Sequence, residues 1–105
     1  MNNKKLIREN FRNAVFTRDN FTCVFCGKTE NLDAHHITDR NEIINSGYVM
    51  ENGITLCPDC HKKAEIYHNS NKTVWYPGFH PDDLYQKIDS SYELAYKKSK
   101  ITLDN

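Results

Sequence analysis

The chain has no apolar run near the roughly 18–20 residues that a membrane helix needs, so no membrane-spanning segment is expected. The opening stretch MNNKKLIREN carries two lysines but no apolar region after them, so no secretory signal is expected either. Neither sign of charge is in excess, since 14 basic residues face 14 acidic ones. That balance argues against a protein that holds nucleic acid by bulk charge alone. Internal repeats and low-complexity tracts are missing too. At 105 residues the sequence suits one domain or a little more, with a modest core that often needs a staple. The expected compartment is the cytoplasm, where cysteines more often bind metal than form disulfides.

What is present is unevenly spread. From residue 1 to 18, Lys4, Lys5, Arg8, Arg12 and Arg18 stand against a single acid, Glu9. This segment reads either as a phosphate-contacting element or as a solvated helix face. Leu6, Ile7, Asn10, Phe11, Ala14 and Val15 recur at helical spacing and predict an amphipathic helix over 4–17. Thr22, Val24 and Phe25 favour a strand around a tight Cys-x-x-Cys-Gly turn. LDAHHI, residues 32–37, and GITLC, residues 53–57, read as short strands, with a polar stretch and a Ser46-Gly47 turn between them. Pro58 suits the first turn of a helix running through PDCHKKAEIYH. Pro81-Asp82-Asp83 opens a last helix with Leu84, Ile88, Ser91, Tyr92 and Ala95 on its packing face. Lys97, Lys98 and Lys100 suit its C-terminal end.

The four cysteines form two Cys-x-x-Cys pairs, Cys23/Cys26 and Cys57/Cys60. Each pair converges two thiolates from one tight turn, and two such turns complete a tetrahedral Zn(Cys)4 site. Thirty residues separate the pairs, so the chain between them must be a folded excursion. A redox dithiol normally occurs once, at a helix start in a βαβ setting, and that setting is missing here. Four thiolates saturate tetrahedral zinc and leave no position open for chemistry, so this ion is expected to be structural. The clamp brings the helix carrying His61 beside the strand carrying His35 and His36. Three imidazoles gathered in this way point to a functional site more than a lone histidine does.

FRNAVFTRDNFTCVFCG, LDAHHI and ENGITLCPDCHKKAE, in that order, resemble the HNH endonucleases. These are ββα-metal (His-Me finger) nucleases, here with an added four-cysteine zinc site. The resemblance spans residues 11–68. It implies an α+β, zinc-stabilised ββα-metal module with an N-terminal and a C-terminal helix. It also implies a metal-dependent DNA endonuclease that nicks or cuts duplex DNA, leaving 5′-phosphate and 3′-hydroxyl ends. His36 matches the general base and Asn52 the middle Asn, which holds the loop and orients that base. His35 and His61 match the ligands of a catalytic divalent cation, commonly Mg²⁺ or Mn²⁺ and sometimes Ni²⁺ or Zn²⁺. The chemistry suits these residue types. A neutral imidazole can take a proton from water near neutral pH, and a cation with open positions neutralises phosphate charge.

Where many family members carry a further helical His, this chain has Glu65, one turn after His61. Glu65 reads as a third metal ligand or, more commonly, as an exposed carboxylate. His68 lies too far along the helix to be an expected ligand, and His80 reads as a loop residue. Arg12, Arg18, Arg40, Lys62 and Lys63 are the candidate contacts to nucleic acid, with solvated charge as the competing reading. Trp75, Tyr76 and Phe79 are expected to pack across the zinc module, with base stacking or a dimer contact as alternatives. The domain reading is a nuclease module over 1–68 and a segment over 69–105 that covers it or mediates contacts. The expected partner is DNA, with a homodimer or partner protein supplying specificity. The expected setting is a bacterial or phage-infected cell, as for similar small HNH proteins of phages and restriction loci. The rival reading is a non-catalytic zinc module that binds nucleic acid or protein. It accounts for the cysteines but not for the order of His35, His36, Asn52 and His61.

Overall fold

The computed structural model describes residues 4–102; the first three residues of the basic N-terminal segment and the last three of the C-terminal segment lie outside the described residues. In order along the chain come helix α1 (Lys4–Arg18), strand β1 (Asp33–His36), strand β2 (Gly53–Leu56), and helices α2 (Pro58–Asn69), α3 (Pro81–Lys87) and α4 (Tyr92–Thr102). The two strands pair antiparallel with His35 opposite Ile54 and His36 opposite Gly53. Chain 37–52 makes short 3-10 turns at Arg40–Glu42 and Met50–Asn52, with a left-handed corner at Asn45 and Ser46. This is the α+β, ββα architecture expected from the sequence. None of the described helices is long and apolar enough to cross a membrane.

Two local expectations are corrected. Thr22, Val24 and Phe25 form no strand. Cys23 N–H donates to the Lys28 carbonyl at 2.8 Å and Gly27 N–H returns to the Cys23 carbonyl at 2.9 Å. These bonds close a knuckle, and Gly27 adopts the positive φ (79°) that the turn requires. β-propensity gives way to the need to converge two thiols. The last helix is also not continuous. Asp89 turns left-handed (φ 54°), Ser90 Oγ donates to the Glu51 carbonyl at 2.8 Å, and Ser91 Oγ accepts from Leu94 N–H at 3.1 Å. Ser91 thus starts a new helix, α4, separate from α3.

The core joins both halves of the chain. Ile37, Ile54, Leu56 and Ala64 from the ββα unit pack with Phe79, Leu84, Tyr85 and Ala95 from the C-terminal segment. Three of the cysteines, Cys23, Cys57 and Cys60, are buried in the same cluster. Asp19 binds α1 to β2, since its Oδ2 accepts from Thr55 N–H at 3.0 Å. Arg18 holds Asp19 through both carboxylate oxygens at 2.8 Å and also donates to the carbonyls of Met50 and Gly53. The Arg-Asp pair is therefore a seam between helix and strand, and this use occupies the guanidinium considered above as a phosphate contact.

Gly53 sits where α1 presses closest on β2. A Cβ there would stand 2.5 Å from Val15 Cγ2 and 2.7 Å from Phe11 Cζ. Both neighbours are buried at the helix contact. Gly53→Ala is expected to cost about 1–3 kcal/mol, the range for overpacking a tight core, measured by urea denaturation. Unchanged stability would show that α1 can move off the strand.

Candidate metal centres and active site

The four cysteine sulfurs lie within 4.8 Å of one another. Cys26 and Cys57 Sγ are 3.4 Å apart, and no cysteine is in a disulfide. Two knuckles supply them. The one at Cys23/Cys26 is tied to β2 by Val24 N–H donating to the Thr55 carbonyl at 3.1 Å, and the other is the first turn of α2, with Pro58 at its start. Burial raises the Cys60 thiol pKa. Burial also pushes Cys23 upward, but hydrogen bonds from the backbone at Cys26, Cys57 and Phe25 bring it to about 7. Four convergent sulfurs suit a tetrahedral thiophilic ion, which would hold all four as thiolates.

A second cluster lies on the other side of α2's first turns. His35, His61 and Glu65 each offer a ligand atom, and these atoms lie within 4.8 Å of one another. His61 Nε2 is 3.0 Å from Glu65 Oε1, and His35 Nδ1 is 3.6 Å from the same oxygen. Asp33 stands behind, its Oδ2 3.2 Å from His61 Nδ1. Periodicity explains the grouping, because His61 and Glu65 are one helical turn apart and Asp33 and His35 share one strand face. The electrostatics favour a cation. His35 and His61 beside Glu65 hold its carboxyl well below the usual range. Glu65 in turn raises the His61 pKa, while burial lowers that of His35. His35 Nε2 is buried without a partner. Two nitrogens and a carboxylate oxygen suit a divalent ion with positions left over for water or substrate.

His36 points to the opposite side of β1. Its ring stacks on Phe11 at 4.5 Å between centroids and meets the Tyr48 ring edge-on at 4.7 Å. Burial pushes its pKa down to about 4, so it is neutral at neutral pH. The strand ends here, and both histidines line one cavity of about 410 Å³ with His61, Glu65 and Arg40. His68 does not join the metal cluster; its Nε2 is 3.2 Å from the His36 carbonyl oxygen.

Asn52 is fully buried, and its carboxamide is saturated. Oδ1 accepts from Thr38 N–H at 2.9 Å and from the Tyr85 hydroxyl at 2.7 Å. Nδ2 donates to the carbonyls of Thr38 at 3.1 Å and Gly47 at 3.2 Å. Since the Tyr85 proton goes to Asn52, Thr38 Oγ1 is the donor in its 2.7 Å bond to Tyr85. Sequence reasoning assigned Asn52 a loop-holding part but missed Tyr85, which reaches it from α3.

The remaining candidates separate. Arg40 borders the histidine cavity and Arg12 borders the groove beside it, with its guanidinium also over the Phe16 ring. Lys62 is exposed on α2, and Lys63 lies over the rings of Tyr76 and Phe79; neither lines the cavity. Phe79 stacks on Phe25 of the first knuckle at 4.2 Å, while Trp75 and Tyr76 stay exposed. His80 caps α3, its Nδ1 accepting from Asp82 N–H at 3.1 Å. Asp33 was also missed, although its position two residues before His35 was a readable signal.

Tyr85→Phe removes one buried hydroxyl and is expected to cost about 1–2 kcal/mol. Asn52→Ala strands several buried groups at once and should cost more than about 3 kcal/mol. Equal small losses in chemical denaturation would show that the carboxamide does not hold the excursion.

Residues 23–65 match the family model described as HNH endonuclease. No curated protein and no solved structure matches the chain. The matched stretch, residues 23–65, holds the ββα unit and the four-cysteine cluster, and over it the chain is similar to an HNH endonuclease domain.

Proposed function

We propose that the chain is a metal-dependent DNA endonuclease with His36 as general base. One observation carries the reading. A neutral imidazole, His36, opens on the same cavity as a two-nitrogen, one-carboxylate cluster fit for a divalent cation. His35, His61 and Glu65 would hold that cation, with Mg²⁺, Mn²⁺ or Ni²⁺ as the expected metals. When bound, it supplies positive charge to the phosphate and to the departing oxygen.

The chain's own residues do the rest. His36 takes a proton from the attacking water as the water oxygen bonds to phosphorus. The P–O3′ bond breaks, the departing oxygen takes a proton from solvent water, and the family's products, a 5′-phosphate and a 3′-hydroxyl, are left. Phe11 and Tyr48 fix the plane of the His36 ring, and His68 and Asn52 hold the backbone at and just beyond it. Zinc in the four-cysteine site clamps the two ends of the excursion and takes no part in the chemistry. Residues 69–102 buttress the nuclease module through Tyr85 and Ser90. A second protomer or a partner protein would supply sequence specificity. A non-catalytic zinc module would leave the second cluster without a use.

Supercoiled plasmid incubated with Mg²⁺, Mn²⁺ or Ni²⁺ tests this. Wild type should nick with at least one metal, and His36→Ala should be slower by about 10²-fold or more, the usual worth of a general base. Equal nicking by both, or none by either, contradicts the proposal.

A further inference from the structure

A groove continues from the histidine cavity along the far side of His36. Arg40 lines the cavity, the groove and a basic pocket of about 350 Å³ at its end. Arg8 and Tyr48 line both the groove and that pocket. Lys4 also borders the pocket, together with the polar side chains of Asn41 and Asn45, and no acid lines it among the described residues. The acids along the path are Asp33, Asp39 and Glu65; all three line the histidine cavity, and Asp33 also borders the groove.

Tyr48 organises this end. Its hydroxyl accepts from Arg40 Nη1 at 3.0 Å, and its ring is held against Phe11 and His36. Burial raises the phenol's pKa, but hydrogen bonds from Arg40 and Arg8 outweigh it and leave the group below its ordinary value. One guanidinium, that of Arg40, thus bonds the Tyr48 hydroxyl beside the base, and a second, that of Arg8, lines the same groove and pocket. Arginine forks presented in this way match the oxygens of a phosphodiester. The helix carrying Arg8 is fixed by the contact of Phe11 and Val15 with β2, so Arg8 is carried on a rigid element.

We propose that Arg8, Arg40 and Tyr48 form a phosphate subsite that holds a backbone phosphate of the substrate strand neighbouring the one cut beside His36. The subsite rests on the nuclease reading and adds to it a path for the strand. The strand runs from the α1 end of the groove, past His36, to the His35–His61–Glu65 cluster. It also gives the N-terminal basic segment a specific use, through Arg8 rather than through Arg18.

The test is binding of the full, metal-loaded chain to a fluorescent duplex, by anisotropy across a salt series. Arg8 is exposed, so Arg8→Gln should fold normally, and circular dichroism checks that it does. Arg8→Gln should weaken binding about tenfold and flatten the salt dependence by about one phosphate contact. Arg8→Lys should restore the salt slope. Lys28→Gln, the same charge change at the cysteine knuckle, should do neither. If Arg8→Gln matches Lys28→Gln while wild type binds and nicks, the subsite is wrong and the nuclease reading stands. If wild type binds no duplex, both fall. An Arg8 effect on binding without any nicking overturns the cleavage reading and, with it, a subsite placed next to a cut phosphate.

Discussion

The carboxamide of Asn52 is the interaction on which the rest of the arrangement depends. It binds Thr38 just after β1, Gly47 midway between the strands and Tyr85 outside the excursion, all from one fully buried side chain. A loop of this length would otherwise have many conformations, and ordering its backbone costs roughly 1–2 kcal/mol per residue. Short polar contacts between distant points confine it where apolar burial is sparse. His36 lies two residues before Thr38, so the same bonds set where the strand ends and how the imidazole is presented. Gly47 is part of this device. Its positive φ and the approach of Asn52 Nδ2, 2.5 Å from where a Cβ would stand, leave no room for a side chain.

Around that anchor the two faces of β1 have separate duties. His35 faces α2 and meets His61 and Glu65, while His36 faces α1 and meets Phe11 and Tyr48. Strand alternation alone would put adjacent histidines in unrelated surroundings. Ending the strand at His36 lets both border one cavity. The cysteine cluster lies at the opposite end of the sheet, near Thr55 and Cys57, so the proposed zinc holds the unit closed without crowding the histidines.

The grouping of the cysteines, and of His35 with His61, was legible because it follows from residue identity at short spacing. Two Cys-x-x-Cys pairs, a His pair at a strand end and a His at a helix start can be read directly from the chain. The strands at 33–36 and 53–56 and the helix from Pro58 followed from periodicity and from proline. What failed was set by contacts distant in sequence. Thr22, Val24 and Phe25 have strand-like side chains, but the knuckle's hydrogen bonds decide their backbone. The break after Ile88 depends on Glu51, and Tyr85 acts through Asn52, 33 residues away; a tyrosine on a helix face gives no sign of such a partner. Two of the partners of Arg18, the carbonyls of Met50 and Gly53, likewise cannot be seen in a sequence.

In the proposed arrangement two metal sites have different duties, one closed by sulfur and one left open beside His36. Titration of the zinc-loaded protein with Mn²⁺, followed by electron paramagnetic resonance alongside zinc analysis, separates them. One retained zinc and one weaker Mn²⁺ per chain are expected, with the Mn²⁺ lost and the zinc kept in His61→Ala. Wild type that binds no Mn²⁺, or His61→Ala that binds it as well as wild type, would rule out a second, open site.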